Sequence, residues 1–150
     1  MICRKFFFIT IAVFVSVGSC LLPRQAKSED LYSIYSKDVN WSSIDMRITE
    51  VERRERSSLL AVTSFTQDAA REGKFLFCYV FRLAQQREFR LARWSKLPED
   101  GDAVVVAFVA SDYENLETIL GQDTYDYSWY DHALDLESYE WKQLQKSCGF

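Results

Sequence analysis

The sequence has one histidine, two prolines and five glycines in 150 residues, and it lacks the short motifs of the common reaction centres. A single histidine excludes the HExxH zinc helix, and no paired Cys/His spacing of a zinc finger occurs. The glycines stand apart from one another, so no phosphate-cradling loop and no dinucleotide fingerprint is present. No Gly-x-Ser-x-Gly elbow occurs, and a Ser-His-Asp triad would have to recruit His132 without one. No repeat or low-complexity tract is found, and so little Pro and Gly excludes collagen-like and disordered chains. What is abundant is bulk: 48% of the chain is hydrophobic and 15% aromatic, enough for the core of one domain.

The first stretch of the chain follows the three-part plan of a secretory signal. Arg4 and Lys5 form a basic start, residues 6–22 are uncharged and rich in Phe, Ile and Val, and Pro23 with Arg24 ends the run. Seventeen apolar-run residues lie at the lower limit for crossing a hydrocarbon core of about 30 Å, which disfavours an uncleaved anchor. Two processing routes remain open. Ala26-Lys27-Ser28 places small side chains for a cut before Glu29, giving a leader 1–28 and a single domain 29–150. Val17-Gly18-Ser19-Cys20 resembles a bacterial lipobox, with a signal 1–19 and Cys20 as the candidate lipidation site. Its Val at the −3 position and the apolar Leu21 and Leu22 that follow depart from that pattern. Both routes predict an exported protein, periplasmic, envelope-bound or secreted, that meets a membrane only through its leader or a lipid.

Charge is split along the chain. Residues 29–96 hold 12 basic and 10 acidic side chains, whereas 97–150 hold 2 basic and 12 acidic. A region of net charge −10 repels phosphate, which disfavours nonspecific nucleic-acid binding and suits a basic protein partner. The basic run Arg82, Arg87, Arg90, Arg93 and Lys96 is read as a solvated face that pairs with those acids. Cys78 and Cys148 remain after processing, and in an oxidising compartment they are expected to form a disulfide. The alternative, a Cys78 nucleophile, has the apolar flanks Phe77 and Tyr79, which raise a thiol pKa.

The local patterns predict an α+β domain, a small antiparallel sheet with helices packed on one face. Residues 29–40 lack periodicity and read as a lead-in that packs late or stays mobile. Residues 44–54 fit both a helix capped around Ser42 and an alternating strand, with Ser57 and Ser58 ending the element. Residues 59–65 read as a strand. Residues 67–86 place Ala70, Gly73, Phe77 and Ala84 at helical spacing, although a break at Gly73 would leave a buried strand from Phe75 to Leu83. Residues 89–96 and 103–110 form a hairpin about the Pro98–Asp102 turn, the second strand apolar enough to be covered on both faces. A short helix is expected from Ser111 or Asp112 through Leu120, stopped by Gly121, and a final helix over 128–146.

The most distinctive stretch interleaves Tyr125, Tyr127, Trp129 and Tyr130 with Asp126, Asp131 and His132. Rings beside carboxylates suit a cationic partner surface. The bland alternative is that the rings cover the core. On a helix, Asp131 and Asp135 would share a face beside His132, the one arrangement from which a metal site or a His/Asp-dependent hydrolase could be drawn. No catalytic, cofactor or metal residue is assigned. The expectation is a non-enzymatic accessory, inhibitor or immunity-type binding protein with a basic protein partner. The alternatives are a small His/Asp-dependent hydrolase or metal-dependent enzyme, and a lipid-tethered structural envelope lipoprotein.

Overall fold

Alternation decides the first ambiguous stretch. Met46, Ile48 and Glu50 recur at every second residue and all three are buried, so the segment is strand β2 (Met46–Arg53) and not a helix. The computed structural model describes residues 31–66, 68–97, 103–122 and 127–149. The leader, Cys20, residues 98–102, and Tyr125 and Asp126 of the aromatic stretch lie outside these. Strand β1 (Ser33–Tyr35) pairs antiparallel with β2, Ser33 opposite Thr49 and Tyr35 opposite Arg47, and runs into a 3-10 turn over Ser36–Val39. The lead-in is therefore part of the fold. Its Tyr32 ring stacks on Tyr79 with centroids 5.0 Å apart, and the Tyr79 hydroxyl donates to the Tyr32 carbonyl at 2.6 Å. Ser57 and Ser58 open strand β3 (Ser57–Ser64) instead of closing the element before it. The reversal falls on 54–56, closed by Arg54 N–H donating to Ser57 O at 2.9 Å.

The helix over 67–86 forms as α1 (Ala69–Gln86), with Asp68 as its cap: the carboxylate accepts the Arg71 N–H at 3.2 Å. Nothing lies within 4 Å of a Cβ built on Gly73, so that glycine interrupts neither the helix nor its packing. Strands β4 (Leu91–Trp94) and β5 (Ala103–Val109) pair antiparallel as the hairpin predicts, Leu91 opposite Val109 and Trp94 opposite Val106. The sheet order is β1-β2-β3-β5-β4-β6, antiparallel at each neighbouring pair, with β6 (Leu134–Asp135) on the outer edge of β4. The protein is thus an α+β fold built on a small antiparallel sheet.

Both faces of that sheet are used. Met46, Ile48, Leu60, Val104, Val106 and Phe108 meet Phe75, Tyr79, Val80 and Leu83 of α1 in the main core. Each such fully buried side chain is worth about 1.5–3 kcal/mol relative to exposure. On the opposite face Val105, Ala107 and Val109 pack on Leu116 and Leu120. Strand β5 is covered on both sides, which explains its unbroken apolar run. The helix stopped by Gly121 is short: α2 spans Glu117–Leu120, and Gly121 ends it at φ +65°. Leu120 puts α2 on the face opposite α1, whereas α3 (Tyr139–Lys146) sends Leu144 to the α1 side.

The final helix is shorter than its sequence pattern implies. Residues 127–135 run along the edge of β4 instead of coiling, bending at 131–132, and 136–138 turn into the last helix. Ser95 bridges to Trp129, Tyr130 N–H donates to Trp94 O at 3.3 Å, and Leu136 N–H donates to Arg90 O at 2.9 Å. The open edge of β4 offers these backbone groups partners that an isolated helix of this length would not outweigh. The Cys78–Cys148 disulfide forms, Cα atoms 5.7 Å apart, and joins the residues after α3 to α1. It fits an oxidising compartment. Among the described residues no helix is long and apolar enough to cross a membrane.

Candidate functional site

The extended segment after residue 126 sorts the predicted surface residues into two groups. Alternation along an edge strand turns Tyr127 and Trp129 toward the second core, where both are half-buried and meet edge to face at 6.3 Å. They cover the core, as the bland alternative has it. Tyr130 points the other way and is 45% exposed, its ring edge-on to Trp94 at 5.4 Å with the Lys96 ammonium 5.9 Å from its centroid. Its carbonyl accepts from Arg93 Nη2 at 2.9 Å. Asp131 and His132 follow, both exposed.

His132 does not meet Asp131 and Asp135 on one face, because no helix carries them. Its Nδ1 lies 3.2 Å from Asp112 Oδ2, while the Ala133 N–H donates to the other carboxylate oxygen of Asp112. The Ala133 amide first, and His132 after it, hold the Asp112 carboxyl below its ordinary pKa. Asp112 thereby ties the loop after β5 to the edge segment, and it brings Tyr113, 95% exposed, to the same region. Asp135 is engaged elsewhere: Arg90 clasps it through Nε at 3.0 Å and Nη2 at 2.7 Å. That guanidinium and the Glu137 N–H bring the Asp135 pKa down to about 2. Among the described residues no three His, Cys, Asp or Glu side chains converge as a metal site. The Asp112–His132 pair fixes one imidazole orientation but leaves the ring 84% exposed to water.

A buried polar cluster about Glu50 lies elsewhere and escaped the motif reading. Glu50 is fully buried on the α1 side of β2 and accepts from Ser58 Oγ at 2.6 Å, from Tyr32 N–H at 3.2 Å and from both forks of Arg53. Burial pushes its carboxyl up, but Arg53, Ser58 and the Tyr32 amide outweigh burial and leave the pKa lowered. Burial likewise raises the Tyr79 hydroxyl and lowers Arg87. Arg87 donates to Ser58 Oγ at 2.7 Å, to Ser57 O at 2.9 Å and to Glu55 O at 2.7 Å, with its guanidinium 4.6 Å from the centre of Phe108. The cluster clamps the β2–β3 reversal from inside and is structural. Its legible signal was Glu50 itself, an acid on the apolar face of an alternating strand.

Around the β4 edge, Tyr113, Tyr130, Asp131 and His132 are exposed at one end and Glu137 at the other. No family model, curated protein or solved structure matches this chain.

Proposed function

We propose that the protein is a small exported binding protein of the accessory, inhibitor or immunity type. It would dock a basic protein partner on the β4 edge between Tyr130 and Glu137 together with the Asp112–Tyr113 loop. One observation carries the reading: Tyr113 and Tyr130 are 95% and 45% exposed where neighbouring Tyr127 and Trp129 are absorbed by the core. Exposed tyrosines beside carboxylates offer rigid contact area, and the acidic C-terminal third attracts a cation from a distance. The leader pattern and the disulfide support export to the periplasm, the envelope or the medium.

The test compares the protein with its Tyr113→Ala/Tyr130→Ala variant, which keeps every buried side chain of both cores and removes only the Tyr130 ring from the edge of Trp94, for binding to poly-lysine and to basic proteins of an envelope extract. Binding is expected to weaken at least about tenfold in the variant. It should also fall as salt rises from about 0.05 to 0.5 M and the screening length shrinks. Salt-insensitive binding that survives the double substitution overturns the proposal. A second reading, a small hydrolase, is favoured only by the Asp112-oriented His132. It requires His132→Ala to abolish a measurable turnover while the fold survives.

A further inference from the structure

A cleft of 280 Å³ opens at the far end of the same edge, between the C-terminal turn of α1 and residues 136–137. It lies below the roughly 300–1,000 Å³ of small-molecule sites, so its size suits one extended side chain. Phe81 and Leu136, 4% and 6% exposed, and half-buried Phe89 make an apolar floor. Gln85, Glu88 and Glu137 stand at the exposed rim. An apolar floor under carboxylates matches an aliphatic stem that ends in a cation.

The electrostatics of the cleft favour that cation. Its one basic lining residue, Arg90, is already held by two contacts to Asp135, at 3.0 and 2.7 Å, and by a longer one of 3.5 Å to Glu137. Glu137, 66% exposed, can leave that longer contact without breaking the clasp on Asp135. The α1 helix adds the negative end of its dipole. Glu88 stands there at φ +60°, a backbone conformation that favours glycine, and adds a negative charge to the negative helix end. Neither helix stability nor backbone comfort accounts for a glutamate at this place.

We propose that the cleft receives an arginine side chain of the basic partner. The inference deepens the partner reading above and rests on it. Leu136 binds the backbone at Arg90, and Tyr130 binds it at Trp94. Four residues of β4 therefore separate the cleft from the exposed tyrosines, about 13 Å along one strand. The planar guanidinium would lie between the Glu88 and Glu137 carboxylates, with its methylenes on Phe81, Phe89 and Leu136.

The test is an NMR titration of the protein with N-acetyl-arginine amide and with its uncharged isostere, N-acetyl-citrulline amide. Shifts confined to the amides of residues 85–90 and 136–137 are expected with the arginine probe at millimolar concentration, and at least about tenfold weaker binding with citrulline. Glu88→Gln/Glu137→Gln should weaken the arginine response at least about fivefold. Glu88→Gly, which keeps the backbone conformation and removes one carboxylate, should weaken it in a protein at least as stable. Equal responses to the two probes, shifts elsewhere, or an arginine response untouched by these substitutions overturns the proposal. No arginine response in a protein that still binds poly-lysine removes the cleft alone. A retained response in a protein that does not bind poly-lysine removes the edge reading and keeps the cleft.

Discussion

The indole Nε1 of Trp41 donates to the carbonyl oxygen of Cys148 at 2.7 Å, joining residues 107 positions apart. Cys148 is also bonded to Cys78, across 70 residues of sequence. The segment that follows α3 is thus held to the α1 side by one covalent and one polar tie. Closing a loop of that length is worth about 4 kcal/mol in the chain-entropy treatment, so Cys78→Ala/Cys148→Ala should lose about that much. Trp41→Phe keeps an aromatic ring near Phe75 and loses the hydrogen bond, about 1 kcal/mol. Urea unfolding with and without reductant measures both. A wild-type midpoint unmoved by reductant would contradict the role given to the disulfide.

Arg56 grips Glu114 with both Nη atoms at 2.7 Å and adds a bond to the Phe108 carbonyl at 3.0 Å, tying the β2–β3 reversal to the loop after β5. Arg56 first, then the Ala110 amide, brings the Glu114 pKa down to about 2 from an ordinary 4.5. A carboxyl depressed on folding stabilises above its unfolded pKa, and that contribution disappears as pH falls through the folded value. Stability should therefore decline between pH 4.5 and about 2. Glu114→Gln should flatten that part of the profile and cost about 1 kcal/mol near neutrality, since the pair is partly exposed. Thermal unfolding from pH 2 to 7 checks both. An unchanged acid limb in the variant assigns the decline to other carboxyls.

What the sequence discloses follows from the range of the forces involved. Helix α1 and strand β5 are legible because their patterns are local: a 3–4 apolar stripe with an aspartate cap, and an unbroken valine run. Residues 127–135 mislead because their conformation is set by the open edge of β4, more than 30 positions earlier in the chain. Yet Tyr127 and Trp129 already show the two-residue spacing of a strand, which is the signal that separates core-covering rings from exposed Tyr130. The lead-in misleads for a related reason: nothing local announces that Tyr32 will stack on Tyr79. Of the proposed surface, Tyr130, Asp131 and His132 were legible as a cluster, whereas Tyr113 and the cleft exist only through tertiary contacts.

Arg87 was legible only as one charge in a basic run, and the fold gives it a specific task. Its guanidinium donates to the carbonyls of Glu55 and Ser57 and to Ser58 Oγ, which in turn donates to buried Glu50. Arg87→Met keeps much of the packing on Phe89 and Phe108 but removes every one of those donated bonds, leaving Ser57 O with the Arg54 N–H alone, and should cost about 3 kcal/mol. Arg87→Lys should recover little of it, since one ammonium cannot span the same fork of acceptors. Denaturation midpoints decide the matter, and full rescue by lysine would show that charge alone is needed.

Glu88 closes α1 as the left-handed residue of a Schellman turn. Its N–H donates to Gln85 O at 3.1 Å, and the next N–H, of Phe89, donates to Ala84 O at 3.0 Å. At φ +60° a side chain costs about 1 kcal/mol relative to glycine, and a carboxylate at the negative helix end adds to that. Glu88→Gly should therefore raise stability by about 1 kcal/mol, a gain of roughly 4 °C in melting temperature for a domain of this size. Glu88→Asn should gain less, because asparagine tolerates the left-handed region only in part. A fall in melting temperature in the glycine variant would mean that the Glu88 side chain stabilises the fold. A rise accompanied by a weaker response to the arginine probe would separate the two roles, with backbone strain retained for the carboxylate it places at the cleft.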